Sequence, residues 1–313
     1  MCSYCIATYM AYWWNWPTIV SIGQSVGLVS GTPPAGMNML LAIVQIAIYV
    51  IPIVVIAVYV QRTASVTLRQ DAQVLNGIAG FFVRTAYWAV LIVGGVDAII
   101  SALRVEGMLP VLFGEKMAID LGRASFRGLY IHTPLLILSV IIAAFTRALG
   151  FVWLCLIVVL AEFQIVVTRF IFSYEQGYMG DLVRFWYAAL FLLASPYTLH
   201  EEGHVRVDVL YSGFAPRTRG MINFYGSVVL GMMLCWIILA LGSWTPSSVI
   251  VGPLLSFEVT QSGFGMYIKY LMAALLGVFA LTMHAQFASY MLDALADWRG
   301  EAGHRAESVG MGQ

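Results

Sequence analysis

The sequence predicts an all-α, polytopic transmembrane helical bundle, with a four-span core and two or three spans upstream of it. Three observations predict it. Apolar residues make up 61% of the 313 positions and charged residues 10%, against roughly 25% charged in an average soluble domain, so a soluble fold could not cover its surface. The apolar residues fall in several nearly uncharged runs of about 18 or more, each long enough to cross a hydrocarbon core of about 30 Å as a helix. The period-2 alternation with regular polar turns that marks a membrane barrel is absent.

The elements follow in order. Tyr12-Trp13-Trp14-Asn15-Trp16-Pro17 is an aromatic cluster suited to a membrane interface, where indole rings are half apolar and half hydrogen-bonding. Thr18 to Ser30 is weakly apolar and reads as interfacial or partly inserted. Met37 to Val60 is a first span, with a kink expected at Pro52. A second span, Thr85 to Leu103, carries Asp97 near its middle; a carboxylate at that depth costs roughly 3 kcal/mol or more unless it is paired or watered, so Asp97 is expected to face protein. Arg104 to Gly128 mixes both signs of charge and reads as an amphipathic loop or surface helix with no crossing.

Ile131 to Phe172 is a long apolar stretch that would extend about 63 Å as one helix, twice the bilayer core, so it must break, most naturally at Arg147 to Gly150. Gly150 to Phe172 is then a full span, and Pro134 to Phe145 is either a third upstream span or an interfacial helix. Further spans are expected near Phe185 to Leu199, Ile222 to Leu241 and Tyr267 to Leu292. The chain thus divides into an upstream membrane region (1–128), a third span or interfacial helix (129–148), a four-span core (149–293) and a tail (294–313).

Charge speaks to topology. His200 to Arg219 holds Arg206, Arg217 and Arg219, whereas Ser173 to Leu182 and Gly242 to Ile268 hold no Lys or Arg. The positive-inside rule places the first loop and the tail in the cytoplasm and the other two outside. Seven spans then give an outside N-terminus and six an inside one. The N-terminus has no basic n-region or cleavage site and is expected to be retained. Formal net charge is zero, which excludes a basic field for nucleic acid. Cys2 and Cys5 form a lone CxxC with no second pair, too little for a zinc or redox site. No phosphate-binding glycine loop is present, the few histidines stand mostly near helix ends, against haem, and no inverted repeat suggests a stand-alone transporter.

His200-Glu201-Glu202-Gly203-His204 satisfies H-E-x-x-H, the helical zinc-ligand pair of metalloproteases. Gly203 weakens the helix such a site needs, the segment lies where a span ends, and His132, His284 and His304 offer no convincing third ligand. An intramembrane zinc metalloprotease is therefore the alternative, and no metal or cofactor is expected.

The same segment reads differently in a larger frame. Leu199 to Leu210, containing Gly203-His204-Val205-Arg206-Val207-Asp208 and followed by Pro216-Arg217-Thr218-Arg219, resembles the signature of the small membrane subunit (the DctQ family) of tripartite, TRAP-type transporters. Arg169-Phe170 closing the first core span, Ser243-Trp244 closing the third, and Glu258, Lys269 and Gln286 around the fourth extend the match, which covers about Leu149 to Asp293. Asp181 stands where members of the family carry a Trp and a Glu. The resemblance implies a non-catalytic small permease subunit in a bacterial inner membrane. It would brace a large membrane subunit for ion-gradient-driven uptake of an organic acid or similar small solute delivered by a periplasmic solute-binding protein.

Candidate motif and interface residues are Gly203, His204, Arg206, Asp208, Arg169, Glu162, Glu258, Lys269 and Gln286. Arg206 and Asp208 can also pair with phosphates of membrane lipids. Glu162 and Arg169, seven residues apart, share a helix face; Arg169 can snorkel to the interface, which leaves Glu162 the better candidate for an intramembrane contact. About the residues before Gly128 the resemblance says nothing.

Overall fold

A computed structural model of the chain describes all residues except 33, 148–149, 175, 201–210, 260–264 and 304–313. Seven helices among the described residues are long and apolar enough to cross a membrane, and the chain divides into two compact units, Met1–Gln70 and Asp71–Gln313.

In the first unit, α1 (Cys2–Trp13), α2 (Val20–Ser25) and α3 (Met37–Arg62) pack together. Tyr9 and Trp13, about one turn apart, stack with centroids 5.0 Å apart, and Trp14 and Trp16 extend the cluster. α3 continues through Pro52 and buries only Ala42 and Gln45. Gln45 donates from Nε2 to the Ala7 carbonyl at 3.2 Å, the kind of polar contact that fastens helices where lipid gives no hydrophobic drive.

α4 (Leu68–Val105) starts at a reciprocal cap: Gln70 N–H donates to Thr67 Oγ1 at 3.3 Å and Thr67 N–H to Gln70 Oε1 at 3.0 Å. Its 38 residues extend about 57 Å, so the polar first half projects beyond the apolar second half. Ala79, Val83, Ala86, Val90, Val93 and Asp97 form its buried stripe, at helical spacing. Short helices α5 (Leu109–Phe113) and α6 (Glu115–Leu121) follow, with Leu109 and Leu121 packing near Ile100.

α7 spans Ala124–Phe145 and includes a π-helical turn, Arg127–His132. The helix thus begins well before Pro134, and the amphipathic loop or surface helix expected over Arg104 to Gly128 gives way in its last residues to the start of α7. At 22 residues it is long and apolar enough to cross. α7 ends at Phe145 and α8 (Phe151–Ile171) begins six residues on, to either side of the break that helix length demands near Arg147 to Gly150. α9 (Gly177–His200) starts earlier than Phe185. Then come α10 (Pro216–Ser243, with a π turn at Ser227–Met232), α11 (Val251–Ser256) and α12 (Lys269–Arg299).

α12 packs against α9, α10 and α11, and α8 against α9. α10 and α12 approach closely at two glycines. A Cβ on Gly220 would sit 2.6 Å from the Trp298 nitrogen and 2.8 Å from the Ala294 carbonyl, and one on Gly231 would sit 2.5 Å from the Phe287 ring; only a residue without a side chain permits that approach. α8 is peripheral: Leu154, Val158 and Ala161 are its only buried residues.

Candidate functional site

Asp97 on α4 is fully buried and forms the centre of a polar network. Its Oδ1 accepts from Arg127 Nη1 at 2.8 Å and lies 3.2 Å from His132 Nε2, and its Oδ2 accepts the Tyr267 backbone N–H at 2.9 Å. Arg127, also fully buried, donates further to Ser101 Oγ at 3.0 Å and, through Nε, to the Leu121 carbonyl at 2.5 Å. Its guanidinium lies 4.2 Å from the centre of the Tyr267 ring, a cation–π contact; Nη2 has no hydrogen-bond partner among the described residues.

A carboxylate paired with a guanidinium can only accept, so His132 Nε2 carries the proton of their contact. In a neutral ring Nδ1 then accepts from the Tyr270 hydroxyl, 2.5 Å away. Arg104 reaches the same region from the end of α4: it donates to the Tyr267 hydroxyl and, at 2.7 Å, to the Gly265 carbonyl, while that hydroxyl donates to the Gly122 carbonyl at 2.8 Å.

The local fold explains the convergence. Residues five apart in an α-helix diverge by about 140°, which would keep Arg127 and His132 on different sides of α7. The π turn that contains both bonds i to i+5 and brings such residues nearly into line, so both reach one Asp97 oxygen. A second carboxylate works in parallel: Asp181 on α9, 4% exposed, accepts the Met266 N–H at 3.0 Å and has Arg184 Nη1 3.6 Å away. Two consecutive amides leading into α12 are thus held by two acids from different helices. That is also the favourable place for negative charge, at a helix N-terminus.

The residues expected from the sequence are distributed as follows. Asp97 faces protein, as its depth required. Glu258 and Lys269 meet as an ion pair, and the Glu258 carbonyl accepts the Tyr270 N–H at 3.2 Å. Gln286 is buried on α12. Glu162 and Arg169 are exposed on α8 and are not brought together with the others. Gly203, His204, Arg206 and Asp208 lie outside the described residues, as does most of the H-E-x-x-H segment. Among the described residues no group of three or more His, Cys, Asp or Glu could hold a metal; His132 is committed to Asp97 and Tyr270, and His284 packs edge-on against Trp236. The zinc alternative gains no support.

Arg127, His132, Tyr267 and Tyr270 are not evident from the sequence as members of this site: Arg127 falls in a segment that reads as an amphipathic loop or surface helix, and His132 stands out only as a weak zinc-ligand candidate. The signal that could have found them was the unmet need of Asp97 for a cation.

These features define a multi-pass helical membrane protein whose buried charges knit spans together. Residues 154–295 match the DctQ component of the tripartite ATP-independent periplasmic transporters. No curated protein and no solved structure matches the chain. Residues 154–295 are therefore a DctQ-type membrane region, preceded by an additional region with three helices of membrane-spanning length. The network straddles the edge of the match: Asp97, Arg127 and His132 come from the additional region, Tyr267 and Tyr270 from the DctQ-type region.

Proposed function

We propose that the chain is the non-catalytic small permease subunit of a TRAP-type secondary transporter in a bacterial inner membrane. In this reading it braces a large transport subunit, and the assembly imports an organic acid or similar small solute as an ion-driven symporter, with a periplasmic solute-binding protein delivering the solute. The DctQ match carries the assignment to a transport system. The bracing role is supported by α8, an apolar helix whose outward surface includes Glu162, which makes no hydrogen bond or ion pair with described residues. A carboxylate facing hydrocarbon is costly and calls for a partner.

With α7 crossing, the ends of α7, α9 and α12 lie on the cytoplasmic side with Arg147, Arg217, Arg219 and Arg299, and the Asp97 network lies toward the outer side. Reconstitution tests the function. Liposomes containing this chain alone should show no gradient-driven uptake, and uptake should require the large subunit and the binding protein; robust uptake by the chain alone would overturn the proposal.

A further inference from the structure

A cleft of about 290 Å³ in the Asp71–Gln313 unit is lined by Asn76, Gly80 and Arg84 of α4, Arg147 of the α7–α8 turn, Tyr197 of α9 and Gln286 of α12, among others. Among the described residues no carboxylate lines it. We infer that this cleft binds the phosphate group of an anionic ligand, in first place the headgroup of an anionic phospholipid.

The two arginines are placed there by the fold. Arg84 marks the point where the apolar half of α4 begins, and its guanidinium packs over Gly80, where a Cβ would stand 3.4 Å from Nη1. Arg147 is positioned by its turn. Tyr87 OH donates to the Gly150 carbonyl at 2.9 Å and Trp88 Nε1 to Thr146 Oγ1 at 2.9 Å, fastening both flanks of Arg147 to α4. The turn joins two helices of membrane-spanning length, so both cations stand near a bilayer surface, at the height of lipid phosphates.

Neither arginine forms an ion pair with a described residue. Simple snorkelling of Arg84 into water does not account for the geometry, because its Nε is shut off from solvent and has no hydrogen-bond partner among the described residues. Two guanidinium forks with amide and hydroxyl groups beside them match a phosphate oxyanion rather than a metal or a neutral solute. Basic pockets between membrane helices select anionic headgroups on the same grounds. The inference is independent of the transport reading, since it needs only this chain and a lipid.

The experiment is native mass spectrometry of the delipidated full-length chain with dioleoylphosphatidylglycerol, dioleoylphosphatidylcholine or inorganic phosphate. The glycerol lipid should be retained over the choline lipid. Arg84→Gln with Arg147→Gln should weaken its binding on the order of twentyfold, and Arg147→Gln alone, at an exposed side chain, about fivefold. Arg62→Gln with Arg69→Gln removes the same charge elsewhere and should change binding by less than about threefold. Phosphate bound through the two cleft arginines, with no preference between the lipids, would keep the site and assign it to a soluble anion. Equal loss in the two double variants would overturn the inference. So would equal retention of both lipids with no phosphate bound.

Discussion

Two carboxylates set in apolar helices meet opposite surroundings. Asp97 on α4 is fully buried and is bonded by Arg127, His132 and a backbone amide. Glu162 on α8 is exposed beside Phe163, itself 64% exposed, with no partner among the described residues. Lipid imposes the same demand on both, because a charge there must be paired, hydrated or covered by protein. The demand of Asp97 is met within the chain, by residues drawn from both sides of the edge of the DctQ-type match. Glu162 finds no such partner among the described residues, and in the proposed function the large subunit supplies it. The buried Asp97 site pairs its carboxylate within the chain, and the outer face of α8 shows no such pairing among the described residues.

The largest test of this contrast is a double-substitution cycle at the buried pair. Asp97→Leu leaves Arg127 buried without its counter-ion and should destabilise the protein by about 3–5 kcal/mol, whereas Asp97→Leu combined with Arg127→Met should recover most of that loss. Thermal unfolding in detergent reads both. If the double variant is no more stable than Asp97→Leu, the pair is not the unit that holds α4 and α7 together.

The same contrast shows what the sequence could reveal. Run length marks six spans, because a bilayer of fixed thickness turns composition directly into helix length, and leaves Pro134 to Phe145 open between a span and an interfacial helix. It also required the break at 147–150 and turned Asp97 away from lipid. It does not place Arg127, because the segment around it is mixed in charge and reads as a loop or surface helix until its counter-ion is known. Nor did periodicity align Arg127 with His132, since a 3.6-residue repeat separates them and only the π turn brings them together. Asp181 stood out as a substitute at a family position, but its contact with Met266 joins residues 85 positions apart, a separation no local pattern encodes. Gly203 to Asp208, which carried the resemblance, lies outside the described residues.

At Glu162 the expected effects reverse. Glu162→Gln should leave the stability of the isolated chain within about 0.5 kcal/mol, as for a surface substitution. It should weaken co-purification with the large subunit by roughly tenfold if the carboxylate pairs with a cation across the interface. Affinity measured with purified large subunit in nanodiscs separates the two. A clear loss of thermal stability in the chain alone would place the partner of Glu162 within this chain and remove the contrast.

The smallest effect is expected where pairing occurs without burial. Lys269 and Glu258 form an ion pair, yet their side chains remain 37% and 41% exposed, so solvent and salt screen the attraction and holding two flexible side chains together offsets part of it. Lys269→Ala should therefore cost no more than about 1 kcal/mol, and less still at high salt. The comparison with Asp97→Leu is the informative one, since each substitution removes one member of a carboxylate–cation pair next to the start of α12. A cost for Lys269→Ala as large as that for Asp97→Leu would mean that pairing itself sets the energetics. A small, salt-sensitive cost assigns the difference to burial, the variable that separates Asp97 from every other charge discussed except its own partners and Asp181.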